Sequence, residues 1–250
     1  MKTLFGSLLL LFLSFSLWAQ EQQPLENSTY YELRIYTAHP GKLQDLVKRF
    51  ENHTRFLFEK AGMKNIAYFL PNDPNENKLY YILGYPDKES RDPMWQKFLN
   101  DPDWKKAYEE SRKNGPLVQS IQEIYMVPAP GLNEKAISGT SGIFQLRTYT
   151  CFDNKLPDLE KRFKNHTQDL FAKQGLVNYP YFETVEKDGS QPKLVYLLGH
   201  QDLESFEQAF SNFIKDPDWI KARDESEKNG KIVERVDAVF LKTLPFSPLK

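Results

Sequence analysis

The sequence contains a long internal repeat. The stretch from Tyr31 to Gly62 returns as Phe144 to Gly175, with more than half of the aligned residues identical. A chain of 250 residues is long enough for two units of ordinary domain size. The repeat therefore predicts two copies of one fold, so each inference about one copy can be checked against the other.

The first segment of each copy alternates between apolar and polar side chains, which is typical of a β-strand. In the first copy the apolar face carries Tyr31, Leu33 and Ile35, and the other face carries Glu32, Arg34 and Tyr36. In the second copy the corresponding faces carry Phe144, Leu146 and Thr148, and Gln145, Arg147 and Tyr149. We expect the apolar face of each strand to pack on helices.

The rest of each copy predicts a helix, two strands, a second helical region and a final strand. Apolar residues at three-and-four spacing follow the first strand, and Gly62 stands where a helix would end. The tetrapeptide Asp-Pro-Asp-Trp at 101–104 and 216–219 predicts a fresh helix start in both copies. The order βαββαβ is the split βαβ pattern of ferredoxin-like domains.

These patterns predict an α+β protein with two ferredoxin-like repeats, at 28–128 and 143–244, joined by a Pro-, Gly- and Ser-rich linker at 129–142. An antiparallel sheet with helices on one face leaves its other face open, and two such sheets can cover each other. We therefore expect a cavity between the sheets, with Arg34, Tyr36, Arg147 and Tyr149 pointing into it. The pairing could occur within one chain or between two chains of a homodimer.

The N-terminal segment has the features of a secretory signal. Lys2 precedes an uncharged apolar run that ends near the small residue Ala19. That run is short for a membrane span and is followed by polar residues. Residues 1–19 are therefore interpreted as a cleaved signal peptide, which predicts an exported protein, periplasmic or extracellular, without a stable membrane anchor.

Composition excludes several classes of function. The formal net charge of −1, without a basic stripe, argues against nucleic-acid binding. Cys151 is the only cysteine, so no intrachain disulfide can form. The four histidines show no metal-ligand spacing, and there is no Gly-rich phosphate loop. The sequence therefore predicts neither a metal site nor a bound cofactor.

Several motifs together resemble one family. They are the LRxY strand, the RFxNHTxxLFxKxG helix, the DPDWxKAxxES segment and the closing NGxxV strand, each present in both copies. They are similar to motifs of the NIPSNAP family, which belongs to the dimeric α+β barrel superfamily. The resemblance covers nearly all of residues 30–244 and implies a tandem pseudo-dimer that completes one barrel. It implies no settled activity, although related barrel families include cofactor-free monooxygenases and haem enzymes.

His53 and His166 are the candidate catalytic residues. Leu46, Phe50, His53 and Leu57 follow helical spacing, which predicts that His53 lies on the buried stripe of its helix, and His166 repeats this. A buried imidazole beside the sheet could have a pKa tuned for proton transfer. The alternative is a core histidine that is hydrogen-bonded to a neighbouring strand or helix.

Arg34, Tyr36, Arg147 and Tyr149 are the candidate ligand-binding residues. An arginine in a cavity could hold a carboxylate or an enolate, and a tyrosine could donate to a bound oxygen. The alternative for Arg34 is an ion pair with Glu32 or Glu123, and for Arg147 a pair with Asp237. The tyrosines could also do no more than pack.

Three functions are compatible with these residues. The first is non-catalytic binding of a small apolar or aromatic molecule between the two sheets. The second is a cofactor-independent enzyme of the monooxygenase or isomerase type, with an arginine stabilising an oxyanion and a histidine moving a proton. The third is a structural or interaction protein with a filled barrel. A ligand-sized cavity would separate the first two from the third.

Overall fold

A computed structural model describes residues 27–135 and 140–250 of the chain. The predicted signal peptide, 1–19, lies outside the described residues. No helix in the part of the chain that is described is long and apolar enough to cross a membrane.

Eight antiparallel strands form one closed barrel. In the first repeat they are β1 (Tyr30–Ala38), β2 (Lys64–Pro71), β3 (Lys78–Tyr85) and β4 (Val118–Pro128), and in the second β5 (Ile143–Cys151), β6 (Val177–Thr184), β7 (Leu194–His200) and β8 (Val233–Thr243). Around the barrel the order is β1-β3-β2-β8-β5-β7-β6-β4, and β4 pairs with β1 to close it. The repeats join where β2 pairs with β8 and β4 with β6. The prediction of two ferredoxin-like repeats in one dimeric α+β barrel-type fold is confirmed.

Helices cover the outside of each sheet. The first repeat has α1 (Leu43–Arg49), α2 (Arg55–Ala61), α3 (Lys88–Asn100) and α4 (Pro102–Ser111), and the second has α5 (Leu156–Arg162), α6 (Gln168–Lys173), α7 (Leu203–Lys215) and α8 (Pro217–Ser226). Asp87 caps α3 by accepting a hydrogen bond from the backbone N–H of Ser90 at 2.7 Å. Asp101 caps α4 ahead of Pro102, so the Asp-Pro-Asp-Trp tetrapeptide starts a helix in the predicted way.

The apolar side chains of β1 and β5, which the sequence predicts to face the helices, lie in the lumen of the barrel. Tyr31 packs against Phe182 at 4.9 Å between ring centroids, and Phe69 against Phe144 at 5.4 Å. Each pair joins the two repeats, so one apolar core is shared by both. The core includes Tyr31, Leu33, Ala67, Phe69, Tyr80, Ile82, Met126, Phe144, Leu146, Tyr179, Phe182, Val195, Leu197 and Leu241.

The residues after β8 run alongside β2 and are hydrogen-bonded to it. The backbone N–H of Leu244 donates to the carbonyl of Tyr68 at 2.9 Å, and that of Leu249 donates to Ile66 at 3.2 Å. Ser247 is buried and its hydroxyl accepts from the N–H of Tyr68 at 3.0 Å. Because Leu249 also packs on the lumen core, this segment covers the end of the barrel at which β1 begins.

Candidate functional site

The arginine- and tyrosine-bearing face of β1 points outward, toward the helices. Tyr36 belongs to the core between sheet and helices, whereas Leu33 belongs to the lumen core. The same division separates Tyr149 from Leu146 in the second repeat. The prediction that Arg34, Tyr36, Arg147 and Tyr149 point between the two sheets is therefore wrong.

The inversion has a physical reason. Both faces of β1 are buried, so alternation alone does not tell which face meets the helices. A buried guanidinium needs polar and aromatic partners, and the helix layer supplies them. The Arg34 guanidinium lies 4.4 Å from the ring centroid of Trp95 on α3, whereas the lumen core is apolar apart from tyrosine hydroxyls.

A charged cluster surrounds Glu32, which has no exposed surface. Arg91 on α3 holds its carboxylate through Nη2 at 2.9 Å and Nε at 3.1 Å. Arg34 also pairs with Glu32, and with Glu123 at 2.8 Å. Burial alone would raise the pKa of Glu32, but the two arginines and Tyr85 outweigh it and lower that pKa. The alternative in which Arg34 pairs with Glu32 and Glu123 is confirmed, so its charge is already compensated.

A groove opens beside this cluster, between the outer face of the first sheet and its helices. Its volume is about 1060 Å³. The aromatic part of its lining comes from Tyr36, Phe50, Phe58, Trp95, Phe98, Trp104 and Tyr108, the cationic part from Arg34, Arg49, Arg91 and Lys105, and the anionic part from Asp92, Glu109 and Glu123. We call this space the repeat-1 groove. Arg34 and Tyr36 thus do line a ligand-sized space, but a different one from that predicted.

In the second repeat, the space that corresponds to the Arg91 and Trp95 end of this groove is lined mainly by apolar side chains. Its volume is about 340 Å³. Phe206, Phe210 and Phe240 line it, at positions where the first repeat has Arg91, Trp95 and Tyr125. Arg147 there is satisfied by neutral groups, because it donates to Gln145 at 2.6 Å, Tyr149 at 3.0 Å and Tyr196 at 3.1 Å. The alternative pairing of Arg147 with Asp237 is wrong, since Asp237 instead pairs with Arg235.

His53 and His166 are exposed, so the prediction that they lie on a buried stripe is wrong. Each lies in a π-helical segment, Phe50–Thr54 or Phe163–Thr167. The residue after each segment, Arg55 or Gln168, donates its N–H to the carbonyl five residues earlier. The wider turn adds one residue and buries Thr54 and Thr167 in place of the histidines. No histidine is among the residues lining the repeat-1 groove, so that lining holds no imidazole for proton transfer or for a haem iron. The catalytic roles of His53 and His166 stay predictions, and the burial from which they were argued is not found.

A second space lies inside the barrel, at the end opposite to Leu249. Its volume is about 840 Å³, and Leu33, Ile35, Tyr80, Leu146 and Val239 form its apolar part. The charged residues at its rim pair with one another: Lys78 with Glu76 at 2.7 Å, Lys193 with Glu186 at 3.3 Å, and Arg235 with Asp237 at 2.9 Å. A cavity between the sheets therefore exists, and six of the charged residues at its rim form three ion pairs within the protein.

Comparison with known proteins identifies the family. The NIPSNAP family model matches residues 31–132 and again 144–248, which together make up most of the chain. The chain belongs to the NIPSNAP family. None of the curated proteins compared with this NIPSNAP protein matches it. In the described residues, no three His, Cys, Asp or Glu side chains are grouped so that they could hold a metal ion.

Solved structures support the fold. A provisionally assigned monooxygenase from Lactobacillus acidophilus has a TM-score of 0.56 at 12% identity, over 86% of this chain and 94% of that one. Another from Fusobacterium nucleatum has a TM-score of 0.57 at 10% identity, over 87% and 93%. A NIPSNAP-like domain protein from Burkholderia xenovorans is 22% identical over 42% of this chain and 88% of that one, with a TM-score of 0.37. At these identities the first two show a shared architecture.

Sequence reasoning missed the residues that complete the repeat-1 groove. Arg49 and Trp104 line it, and both have identical counterparts, Arg162 and Trp219, in the second repeat. The useful signal was a difference between the copies, because Arg91 faces the groove where the second copy has Phe206. Charged residues of one copy that are apolar in the other mark where the two grooves diverge.

Proposed function

We propose that this NIPSNAP protein binds a small, flat apolar or aromatic molecule in the repeat-1 groove. The observation that carries the proposal is the difference between two otherwise equivalent sites. The repeat-1 groove is about 1060 Å³, whereas the space that corresponds to its Arg91 and Trp95 end in the second repeat is about 340 Å³ and is lined by phenylalanines. Among the described residues, the Arg91 and Trp95 end of the groove is open in the first repeat and is narrowed by phenylalanines in the second, and we attribute this difference to binding rather than to packing.

The lining supports an aromatic ligand. Trp95, Phe98, Trp104 and Tyr108 offer ring faces and edges, against which an aromatic molecule can stack or pack edge-on. Trp104 packs on Phe98 at 4.4 Å and on Tyr108 at 5.4 Å between ring centroids, so the wall is held in place before a ligand arrives. A preorganised wall reduces the entropy lost on binding.

The cavity inside the barrel is a second candidate for the same kind of ligand. Its apolar lining and its position between the sheets favour it, and the sequence predicts a ligand there. Three pairs of its rim charges compensate each other, however, and its lining lacks the tryptophan rings of the repeat-1 groove. For this reason the repeat-1 groove is the first choice.

A matched pair of variants distinguishes the two spaces. Ser120→Trp places an indole in the repeat-1 groove, and Thr148→Trp places one in the barrel cavity. The probe is naphthalene-2-carboxamide, with binding followed by isothermal calorimetry and by quenching of Trp95 and Trp104 fluorescence. We expect Ser120→Trp to weaken binding by at least about tenfold and Thr148→Trp to leave it unchanged. The reverse pattern would assign the ligand to the barrel, and no saturable binding to the intact protein would refute the proposal.

The enzymatic alternative needs a proton carrier beside the ligand. His53 lies instead in a shallow surface depression with Asn52, Glu110 and Asn114, and outside the groove lining. The provisionally assigned monooxygenases share the architecture at 10–12% identity, which carries no reaction to this chain. Binding without catalysis is therefore the function that the groove supports best. Export is part of the same proposal and depends on residues 1–19.

A further inference from the structure

Arg49 is a buried cation for which the described residues supply no carboxylate. It is 5% exposed and lies at the C-terminal end of α1, in the wall of the repeat-1 groove. Its Nη1 donates to the hydroxyl of Ser111 at 3.2 Å, and its guanidinium lies 5.2 Å from the ring centroid of Trp104. Its Nε has no hydrogen-bond partner. Among the described residues, no carboxylate oxygen lies within 4.0 Å of it.

The second repeat shows what such an arginine ordinarily binds. Arg162 has the same surroundings: its Nη1 donates to Ser226 at 3.2 Å, and it lies 5.2 Å from the ring centroid of Trp219. In addition, its Nη1 pairs with the carboxylate of Glu227 at 3.1 Å. The position of Glu227 is occupied in the first repeat by Arg112. One copy thus carries its own carboxylate, and the other carries a second cation there.

The exchange leaves Arg49, in the wall of the groove, without the carboxylate partner that Arg162 has. Burial lowers the pKa of Arg49, and the nearby charge of Arg112 lowers it further. An arginine nevertheless stays protonated in a protein, so the buried charge persists. A buried charge without a partner is costly, and an anion that arrives with a ligand would remove that cost.

We propose that the ligand of the repeat-1 groove carries a carboxylate, which pairs with Arg49 in the place that Glu227 takes beside Arg162. The inference depends on the proposed function and makes it more specific: the ligand class is an aromatic or apolar carboxylic acid. The chain itself indicates a carboxylate, because that is the group it uses for the equivalent arginine. The Nε of both arginines lacks a hydrogen-bond partner, so the difference between the copies lies at Nη1. A ligand carboxylate in the place of Glu227 would accept from Nη1 of Arg49, as Glu227 accepts from Nη1 of Arg162 at 3.1 Å.

The test compares two probes that differ only in charge: naphthalene-2-carboxylate and naphthalene-2-carboxamide. Their dissociation constants are measured by calorimetry on the intact protein and on the variant Arg112→Glu. In the intact protein we expect the carboxylate to bind at least about tenfold more tightly than the amide. In Arg112→Glu the new side chain takes the place of Glu227 beside Arg49, and we expect that preference to disappear while the amide still binds.

The variant Arg112→Gln is the matched control. It removes the same positive charge without adding a carboxylate, so Arg49 still lacks a partner and the carboxylate preference should largely remain. The variant Arg112→Glu is expected to fold, because Arg112 is exposed and a glutamate occupies the equivalent helix end in the second repeat. Thermal unfolding of both variants, followed by circular dichroism, verifies this.

The outcomes separate this inference from the proposed function. If both probes bind the intact protein equally, the carboxylate inference is refuted and the groove remains a binding site. If neither probe binds, the proposed function fails and the inference fails with it. If the carboxylate preference persists in Arg112→Glu, the anion is recognised by some group other than Arg49, which also refutes the inference.

Discussion

Arg34 and Arg147 occupy equivalent positions but are satisfied by different chemistry. Arg34 is compensated by carboxylates, those of Glu32 and Glu123, whereas Arg147 donates to a neutral amide and two phenols. The differences form a set, since Glu32, Arg91 and Glu123 correspond to Gln145, Phe206 and Ala238. A buried arginine is therefore stabilised by an ionic cluster in the first repeat and by neutral hydrogen-bond partners in the second. The residues within each set depend on one another.

This dependence gives the first prediction. Glu32→Gln removes the carboxylate that Arg91 holds through two bonds, and we expect it to destabilise the fold by about 3 kcal/mol. Adding Arg91→Phe to Glu32→Gln gives both positions the residues of the second repeat. This second change should recover at least about 1 kcal/mol of that loss. Urea unfolding of the two single variants and the double variant gives the coupling energy. Strictly additive effects would show that the two residues are not one unit.

A second prediction concerns Glu160 on α5, whose carboxyl meets that of Glu183 on β6. Burial and the neighbouring Glu183 raise the pKa of Glu160 to about 8. The folded state thus holds a proton that the unfolded chain releases near pH 4.5, the ordinary pKa of a glutamate, so stability should fall as pH rises from there to about 8. Glu160 and Arg162 both act on the nearby thiol of Cys151, whose pKa is raised mainly by burial to about 11.

Glu160→Gln should flatten this pH dependence. We expect the fall in free energy of unfolding to shrink by about 1 to 2 kcal/mol, after allowance for the partly exposed position. Urea unfolding at intervals from pH 5 to pH 8 measures the slope. Glu51→Gln, at an exposed helix position, is the control and should leave the slope as it is. An equal slope in Glu160→Gln would mean that the carboxyl pair does not share a proton.

The π-helical segments explain why helical periodicity misplaced the histidines. The apolar spacing was counted at 3.6 residues per turn, whereas Phe50–Thr54 and Phe163–Thr167 make a wider turn. Thr54 takes the buried position, and its hydroxyl donates to the carbonyl of Arg49 at 3.2 Å. Other helix features followed from local chemistry that the sequence displays directly, such as the Asp87 cap and the left-handed Gly62 at the end of α2.

The third prediction contrasts neighbouring residues in this segment. His53→Gln changes an exposed side chain and should alter the free energy of unfolding by less than about 0.5 kcal/mol. Thr54→Val keeps the shape but removes a buried hydroxyl, and should cost about 1 kcal/mol. Urea unfolding measures both, and His166→Gln with Thr167→Val repeats the comparison in the second repeat. A larger loss for His53→Gln than for Thr54→Val would contradict the assigned helix register.

At the scale of the whole molecule, the sequence predicted the architecture better than it predicted the orientation of its faces. The repeat and the element order were enough for two ferredoxin-like units in one barrel, because those signals are local and are present twice. Which face of β1 turns inward depends on partners distant in sequence, such as Arg91 and Trp95, and a single strand does not reveal them. For the same reason the groove was expected between the sheets and is found between sheet and helices.

The closed barrel makes the two repeats one folding unit, which gives the fourth prediction. Phe144 packs on Phe69 of the other repeat and on Tyr179 of its own, so Phe144→Ala opens a cavity in the shared core. We expect a loss of about 3 to 5 kcal/mol. In a chain without residues 1–19, Trp219 reports on the second repeat once Trp95 and Trp104 are changed to Phe, and Trp95 and Trp104 report on the first once Trp219 is changed to Phe.

Both reporters should shift to the same lower denaturant midpoint in Phe144→Ala. The reason is that β2–β8 and β4–β6 pairing and the shared lumen core leave neither sheet able to unfold without exposing the other's inner face. Ala172→Gly, on the outer helix α6, is the control and should move the common midpoint only slightly. Two separate transitions, or a shift confined to Trp219, would show that the repeats behave as independent domains joined by their strand edges.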